Sequence, residues 1–380
     1  MKYLVIIFLF FVGSGTEIKL YNAESNRIIN DKVLADFFDK LEKLSVQREG
    51  TLRITHIGDS HIQADFLTGQ LRHNFQNNFG NAGRGFIFPY KLAKTRGALD
   101  VQFSSSGAWQ YCDILHNYTD CDIGAAGFSV STFDSCTLKI KVKRSNTISA
   151  SFNKVKVLTN GNFLRPKETE DYTPVTDTNN PVLQFETLRD SLILVTNNPN
   201  SKLTLEGFVL ENNESGIVYN SLGINGSSVV QYLRSKQFEV GVKQLETDLL
   251  IVSFGTNDCY VSKSKFCKFC TKESFKTLVK RIRNVNPSMP IILTTPPDHY
   301  FKGKYPNSNM EDLQELISEL CVEEGCALWD LYGIMGGKNS VMKWRESKLV
   351  ARDLIHFTKT GYGKQADMFF EAFMESFHNY

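Results

Sequence analysis

Leu52-Arg53-Ile54-Thr55-His56-Ile57 alternates in character and runs straight into Gly58-Asp59-Ser60-His61. A period of two is the pattern of a half-buried strand. Beyond it, Ile62, Phe66, Leu67 and Leu71 recur at helical spacing. Ser60 is therefore expected on a sharp turn between strand and helix. That is the carboxyl edge of an α/β sheet, where ligands bind. The helix start behind it presents unsatisfied N–H groups and the positive end of a dipole, both suited to a developing oxyanion. A serine hydroxyl remains a poor nucleophile until a neighbouring base takes its proton. The stretch thus calls for a base, an orienting carboxylate and oxyanion donors elsewhere in the chain.

Outward from this stretch the pattern changes twice. Asp31 to Leu44 places Val33, Leu34, Phe37, Phe38, Leu41 and Leu44 on one helical stripe. From about residue 100 to 215 the helical period is absent. Thr137 to Lys143 alternates strictly, and Ile148 to Val157, Val182 to Phe185, Ser191 to Thr196 and Lys202 to Leu210 read as short strands between turn-forming clusters. This is the signature of an all-β sandwich or jelly roll. From residue 216 strands alternate with helices again. The strands are Gly216 to Leu222, Leu249 to Phe254, Ile291 to Thr295 and Ala327 to Leu331; the helices are Ser228 to Phe238, Phe275 to Val285, Asp312 to Glu324 and Gly361 to Phe377. Such alternation predicts a mostly parallel sheet covered on both faces.

The chain has 380 residues, 42% hydrophobic and 22% charged, with a formal net charge of +2. The composition is that of a folded protein, and the charge balance argues against a nucleic-acid binder. Lys2, the apolar run Leu4 to Val12 and the small residues Gly13-Ser14-Gly15 form a secretory signal pattern. The run is too short to span a bilayer, although an N-terminal anchor is the alternative reading. No later stretch is apolar enough to cross a membrane, so an exported protein without an integral segment after signal removal is expected.

Eight cysteines fit an exported chain, and eight permit 105 complete pairings. The close pairs Cys112/Cys121, Cys267/Cys270 and Cys321/Cys326 are the simplest choices. Cys259 with Cys267-Lys268-Phe269-Cys270 also suggests zinc or a redox pair. A structural zinc site normally takes two Cys/His pairs, and only one close pair is present, so disulfides or buried thiols are preferred.

Further candidate groups lie at strand ends. Gly255-Thr256-Asn257-Asp258 closes a buried strand, and an Asn there can aim its N–H at an oxyanion, or simply cap its own turn. Asn220-Ser221-Leu222-Gly223-Ile224-Asn225-Gly226 follows another strand, where a glycine lets backbone approach a ligand, or simply turns. Asp353-Leu354-Ile355-His356 precedes the last helix, at a spacing that lets the Asp orient the His ring toward Ser60. Gly80-Asn81-Ala82-Gly83-Arg84-Gly85 lacks the context of a phosphate cradle. It reads instead as a flexible rim loop, with Arg84 as a substrate-contacting cation. His56 is fixed on the strand and points elsewhere, and His299, after Pro296-Pro297-Asp298, reads as a solvated loop or rim residue.

Gly-Asp-Ser, then a glycine, then Gly-x-Asn-Asp, then Asp-x-x-His, in this order and at strand ends, resembles the SGNH (GDSL-type) hydrolase family. The resemblance covers about residues 50–100 and 216–377. It implies a three-layer α/β fold, a parallel sheet flanked by helices, with an inserted all-β, carbohydrate-binding-like sandwich. The parts would be a signal peptide at 1–15, hydrolase at 16–99, insert at 100–215 and hydrolase at 216–380. It further implies Ser60 as nucleophile, His356 as general base and Asp353 as its orienter. The oxyanion donors would be the Ser60 N–H, the Gly226 N–H and the Asn257 side chain, with Gly223 competing with Gly226. His61 in place of leucine is similar to the variant in cell-wall and carbohydrate esterases, which makes it a substrate-binding candidate.

The layout is similar to bacterial peptidoglycan O-acetylesterases, which implies a secreted or periplasmic serine esterase that frees acetyl groups from an acetylated glycan through an acetyl-enzyme, with no metal or organic cofactor. Trp109 and Tyr111 are candidates for stacking on sugar, although core packing is the commoner role of such residues. A plant-polysaccharide acetylesterase, a lysophospholipase/thioesterase or an O-acetyltransferase would use the same triad. A catalytically inactive glycan-binding protein is the reading from another class.

Overall fold

A computed structural model describes residues 20–116, 121–143, 149–162, 164–167, 172–175, 181–196, 198 and 201–380. The signal-like segment lies outside the described residues. The strands used below are β1 (Thr51–Gly58), β2 (Gly85–Ile87), β3 (Leu203–Glu211), β4 (Gly216–Gly223), β5 (Leu249–Ser253), β6 (Ile291–Thr294) and β7 (Ala327–Trp329). The helices are α1 (Ala35–Gln47), α2 (Phe66–Phe79), α3 (Lys268–Val285), α4 (Met310–Glu324) and α5 (Lys359–His378).

Five strands form a parallel sheet in the order β4-β1-β5-β6-β7. Successive side chains of a strand point to opposite faces, and the core divides accordingly. Leu249 and Ile251 pack on one side with Phe37, Phe38, Phe75, Phe369 and Phe373 of α1, α2 and α5. Leu250 and Val252 pack on the other with Leu278, Ile282, Leu316 and Leu320 of α3 and α4. Both faces of β5 are therefore apolar, as a helix-covered parallel sheet requires. No helix among the described residues is long and apolar enough to cross a membrane.

Between β1 and β4 the chain builds two antiparallel sheets. One pairs β3 with Phe128–Thr132 and Phe152–Gly161 and extends outward on both sides. The other runs Val101–Ser105, Thr137–Val142, Ser191–Thr196, Leu164–Pro166. Phe103 of the second stacks on Phe208 of the first, with ring centroids 6.1 Å apart. This apolar layer joins the same cluster as α3 and α4, so both regions share one continuous core.

Several expectations are corrected. The antiparallel region starts before residue 100, because β2 pairs with Phe208, Val209 and Leu210 of β3. The helix expected over 228–238 is broken into Val229–Tyr232 and Phe238–Gln244, with Arg234 and Ser235 between them tied to carbonyls of the antiparallel region. The strand expected from Ile148 begins at Phe152, and residues 144–148 lie outside the described residues. Cys112–Cys121 and Cys267–Cys270 are bonded, whereas Cys321 and Cys326 remain separate buried thiols.

Candidate active site

β1 ends at Gly58, and Ser60 opens the short helix Ser60–Gln63. Asp59 caps it, Oδ1 accepting the His61 N–H at 3.0 Å. The turn leaves no room behind it: a Cβ on Gly58 would lie 2.5 Å from the Ser253 carbonyl oxygen. Ser60 Oγ lies 2.9 Å from His356 Nε2, and His356 Nδ1 lies 2.7 Å from Asp353 Oδ2. The loop that brings them there is folded on itself. Asp353 Oδ1 accepts from the N–H groups of Ile355 and His356, and the Ala351 N–H donates to the His356 carbonyl. Partial burial raises the Asp353 carboxyl, but the His356 ring and these N–H groups outweigh it and hold it below its ordinary value. Asp353 therefore stays ionised and fixes Nδ1 as the protonated nitrogen, leaving Nε2 to accept the serine proton.

A pocket of about 510 Å³ opens over Ser60 and is bounded by Gly226, Asn257, Tyr260, His356 and Tyr362. Gly226 has φ +79°, and a Cβ there would meet nothing within 4 Å. Gly223 is elsewhere. It pairs in register with Gly58, and its Cβ would strike the Gln63 N at 2.2 Å, so its smallness seats the Ser60 helix against β4. Asn257 Nδ2 donates to the Ser227 carbonyl at 2.9 Å and lies 3.4 Å from Asp59 Oδ2. These contacts hold the Asn257 amide at the pocket edge beside Gly226.

Two carboxyls are enclosed beneath. Burial pushes Asp59 up to about 6 and Asp258 up to about 7. Asp258 Oδ1 accepts the Val229 N–H at 2.9 Å and so steadies the segment that follows Gly226.

The other candidates are not in this pocket. Arg84 is buried, not on a rim: Nε lies 2.5 Å from Asp100 Oδ2 and Nη2 lies 2.7 Å from Asp65 Oδ2. His61 is buried behind the site, Nδ1 at 2.9 Å from the Tyr362 hydroxyl. His56 is enclosed between the Tyr219 hydroxyl and Ser253 Oγ, and burial pushes it down to about 3. His299 is wholly buried, held by the Pro297 carbonyl and the Asn307 amide, because the Pro296-Pro297 segment folds inward. Trp109 and Tyr111 are half-buried; Trp109 Nε1 donates to Ser105 Oγ, and Lys94 Nζ lies 5.7 Å from the centre of the Tyr111 ring.

Sequence reasoning missed Gln63 and Tyr260. Gln63 Oε1 accepts the Asn225 N–H, and Gln63 Nε2 reaches Thr95 Oγ1 and the Arg96 carbonyl. It thereby ties the Gly226 loop to the helix of Ser60. Tyr260 follows Asn257 by three positions, a helical offset that could have placed both on one face.

Residues 199–364 match the GDSL-like Lipase/Acylhydrolase family. Over these residues the chain is similar to that family. The matched segment contains Gly226, Asn257, Asp353 and His356, but not Ser60, which the antiparallel region separates from it. Domain and triad geometry together are those of a carboxylic ester hydrolase. A solved peptidoglycan O-acetylesterase superposes with a TM-score of 0.73 at 21% identity, over 93% of this chain and 99% of that one, so the fold is shared along nearly the whole length. A lipase/acylhydrolase from Enterococcus faecalis (18% identity, 41% of this chain, 75% of that one) and the acetyl xylan esterase AlAXEase (20%, 41%, 80%) each reach a TM-score of only 0.33. No curated protein matches the sequence.

Proposed function

We propose that this acylhydrolase is an exported serine esterase that removes O-acetyl groups from peptidoglycan or a related envelope glycan. The observation that carries the reading is the hydrogen-bonded run Ser60–His356–Asp353 at the floor of an open pocket. The shared fold with a peptidoglycan O-acetylesterase, antiparallel region included, supports the choice of glycan.

In this reading His356 Nε2 takes the Ser60 proton as Oγ attacks the acetyl carbonyl. The oxyanion forms beside the Ser60 and Gly226 N–H groups and the Asn257 amide. Collapse returns the proton to the sugar oxygen, leaving acetyl on Ser60, and His356 then activates water for the second half-reaction. Asp353 holds the ring and stabilises the imidazolium. The His356 side chain is 40% exposed, so water reaches the acyl-enzyme, which supports hydrolysis over transfer.

The test compares acetate release from O-acetylated peptidoglycan, acetylated xylan and a lysophospholipid. Peptidoglycan is expected to be the best substrate, with turnover abolished in Ser60→Ala. A preference for the lysophospholipid would overturn the glycan reading, and activity surviving Ser60→Ala would overturn the triad.

A further inference from the structure

Cys267–Cys270 takes no part in the pocket around Ser60. Cys267 caps the start of α3, and only Lys268 and Phe269 separate it from its partner. The two sulfurs are bonded with the Cα atoms 5.3 Å apart, and both residues are exposed. The Cys270 N–H points at Cys267 Sγ, 3.1 Å away.

A bond between residues three apart is a weak staple, because the loop-closure entropy it removes grows with loop length. The turn it spans is already fixed by the helix. α3 is anchored without it: Phe275, Leu278, Val279 and Ile282 are buried, and Lys268, Lys272 and Lys276 pair with glutamates of α4. The unbonded cysteines offer no comparable chemistry. Cys136, Cys259, Cys321 and Cys326 are buried thiols, and burial pushes Cys136 and Cys326 up to about 11.

The reduced form of the exposed pair is favoured by its surroundings. A Cys267 thiolate would accept the Cys270 N–H at the positive end of an 18-residue helix. Helix starts and Cys-x-x-Cys spacing both depress a thiol. Phe269, 74% exposed between the two cysteines, offers an incoming protein an apolar contact beside the bond.

We propose that Cys267–Cys270 is a thiol–disulfide exchange site for the dithiol of a partner oxidoreductase, separate from the esterase site. A partner thiolate attacks Cys270 Sγ, forming a mixed disulfide, and the electron pair of the broken bond leaves on Cys267 Sγ. The second partner thiol, losing its proton, then attacks the partner's own sulfur in the mixed disulfide and releases Cys270. Two electrons and two protons pass to the pair, and the partner dithiol becomes a disulfide.

The test equilibrates the full chain in glutathione buffers, with acid quench, alkylation and peptide mass analysis. Cys267–Cys270 is expected to open at a glutathione ratio at least about tenfold more oxidising than Cys112–Cys121 requires, and to be reduced by thioredoxin while Cys112–Cys121 stays closed. Opening of both bonds together, or of Cys112–Cys121 first, would overturn the proposal. In Cys270→Ser, alkylation of Cys267 should reach half its maximal rate below about pH 7.5, and an ordinary midpoint near 8.5 would also overturn it. The double variant Cys267→Ser/Cys270→Ser should keep its Tm within about 3 °C and its p-nitrophenyl acetate turnover. A larger fall in Tm would make the bond a structural staple instead.

Discussion

His61 stands directly behind His356, the ring centroids 5.5 Å apart, with Nδ1 against the Tyr362 hydroxyl. Burial, with the nearby His356 adding to it, pushes His61 well below its ordinary value. A neutral His61 lets His356 become imidazolium without a second cation against it. His61→Gln should therefore leave the acid midpoint of the kcat/KM profile within about half a pH unit of the parent. A displacement of a full unit would mean that the two rings titrate together.

Asp353→Asn removes the acceptor that sets the His356 tautomer, and kcat on p-nitrophenyl acetate should fall by about 10³–10⁴ with KM little changed. His356→Ala should cost at least as much. Both side chains are about two-fifths exposed (40% and 45%), so thermal unfolding should barely move. A kcat within tenfold of the parent in either variant would rule out their assigned roles.

The two glycines of the loop after β4 should separate by phenotype. Gly223→Ala drives a Cβ into the Gln63 backbone and is expected to yield little folded protein. Gly226→Ala meets open space, and its positive φ makes the strain about 1 kcal/mol. It should fold but lose kcat, which circular dichroism paired with turnover would show. An active, stable Gly223→Ala would reverse the choice between them.

Arg84 is buried against two carboxylates, and Arg72 shares Asp65 with it at 2.6 Å. Arg84→Met should destabilise the fold by about 3–5 kcal/mol, because it strands buried charge. Burial raises Asp100, but the Arg84 and Arg72 guanidinium groups outweigh it and hold it far below the ordinary carboxylate value. The stability this contributes is complete above the unfolded carboxylate pKa, near 4, and is lost as pH falls toward the folded value. Denaturant titrations between pH 6 and 2 should show that slope in the parent and a flatter one in Arg84→Met.

Asp258 behaves in the opposite sense. Its folded pKa is pushed above the unfolded one, to about 7, so the folded chain holds a proton that the unfolded chain releases. Its favourable contribution is therefore complete below about pH 4 and is lost as pH rises toward 7. The parent should lose several degrees of Tm between pH 5 and 8, and Asp258→Asn should lose less. Equal slopes in the two proteins would remove Asp258 as the cause.

Much of this was legible where period and turn chemistry agree. The alternation of Leu52 to Ile57 and the apolar spacing beyond Ser60 produced β1 and the turn as expected, and the helices expected over 312–324 and 361–377 moved by no more than two positions at either end, whereas α3 begins at Lys268, seven positions before the expected Phe275. Legibility failed where distant packing decides. Nothing local says that Arg84 is met by Asp65 and Asp100, or that His299 folds inward to Asn307. β2 was invisible because three residues carry too little period, and only pairing with β3 makes them a strand. The helix over 228–238 kept its apolar spacing but was interrupted because Ser235 and Arg234 bind carbonyls more than a hundred positions earlier.

The antiparallel region leaves the parallel sheet and rejoins it at one spot. The Ile217 N–H donates to the Gly80 carbonyl at 2.9 Å, the Asn212 N–H donates to the Ala82 carbonyl at 3.0 Å, and a Cβ on Gly216 would touch the Gly80 carbonyl carbon at 2.2 Å. Backbones pressed this closely, above a shared apolar layer, make a weld and not a hinge. The wall that rises beside Gln63 through Thr95 and Arg96 is therefore carried with Ser60, and any bulky ester would have to approach past it instead of being clasped by a moving jaw.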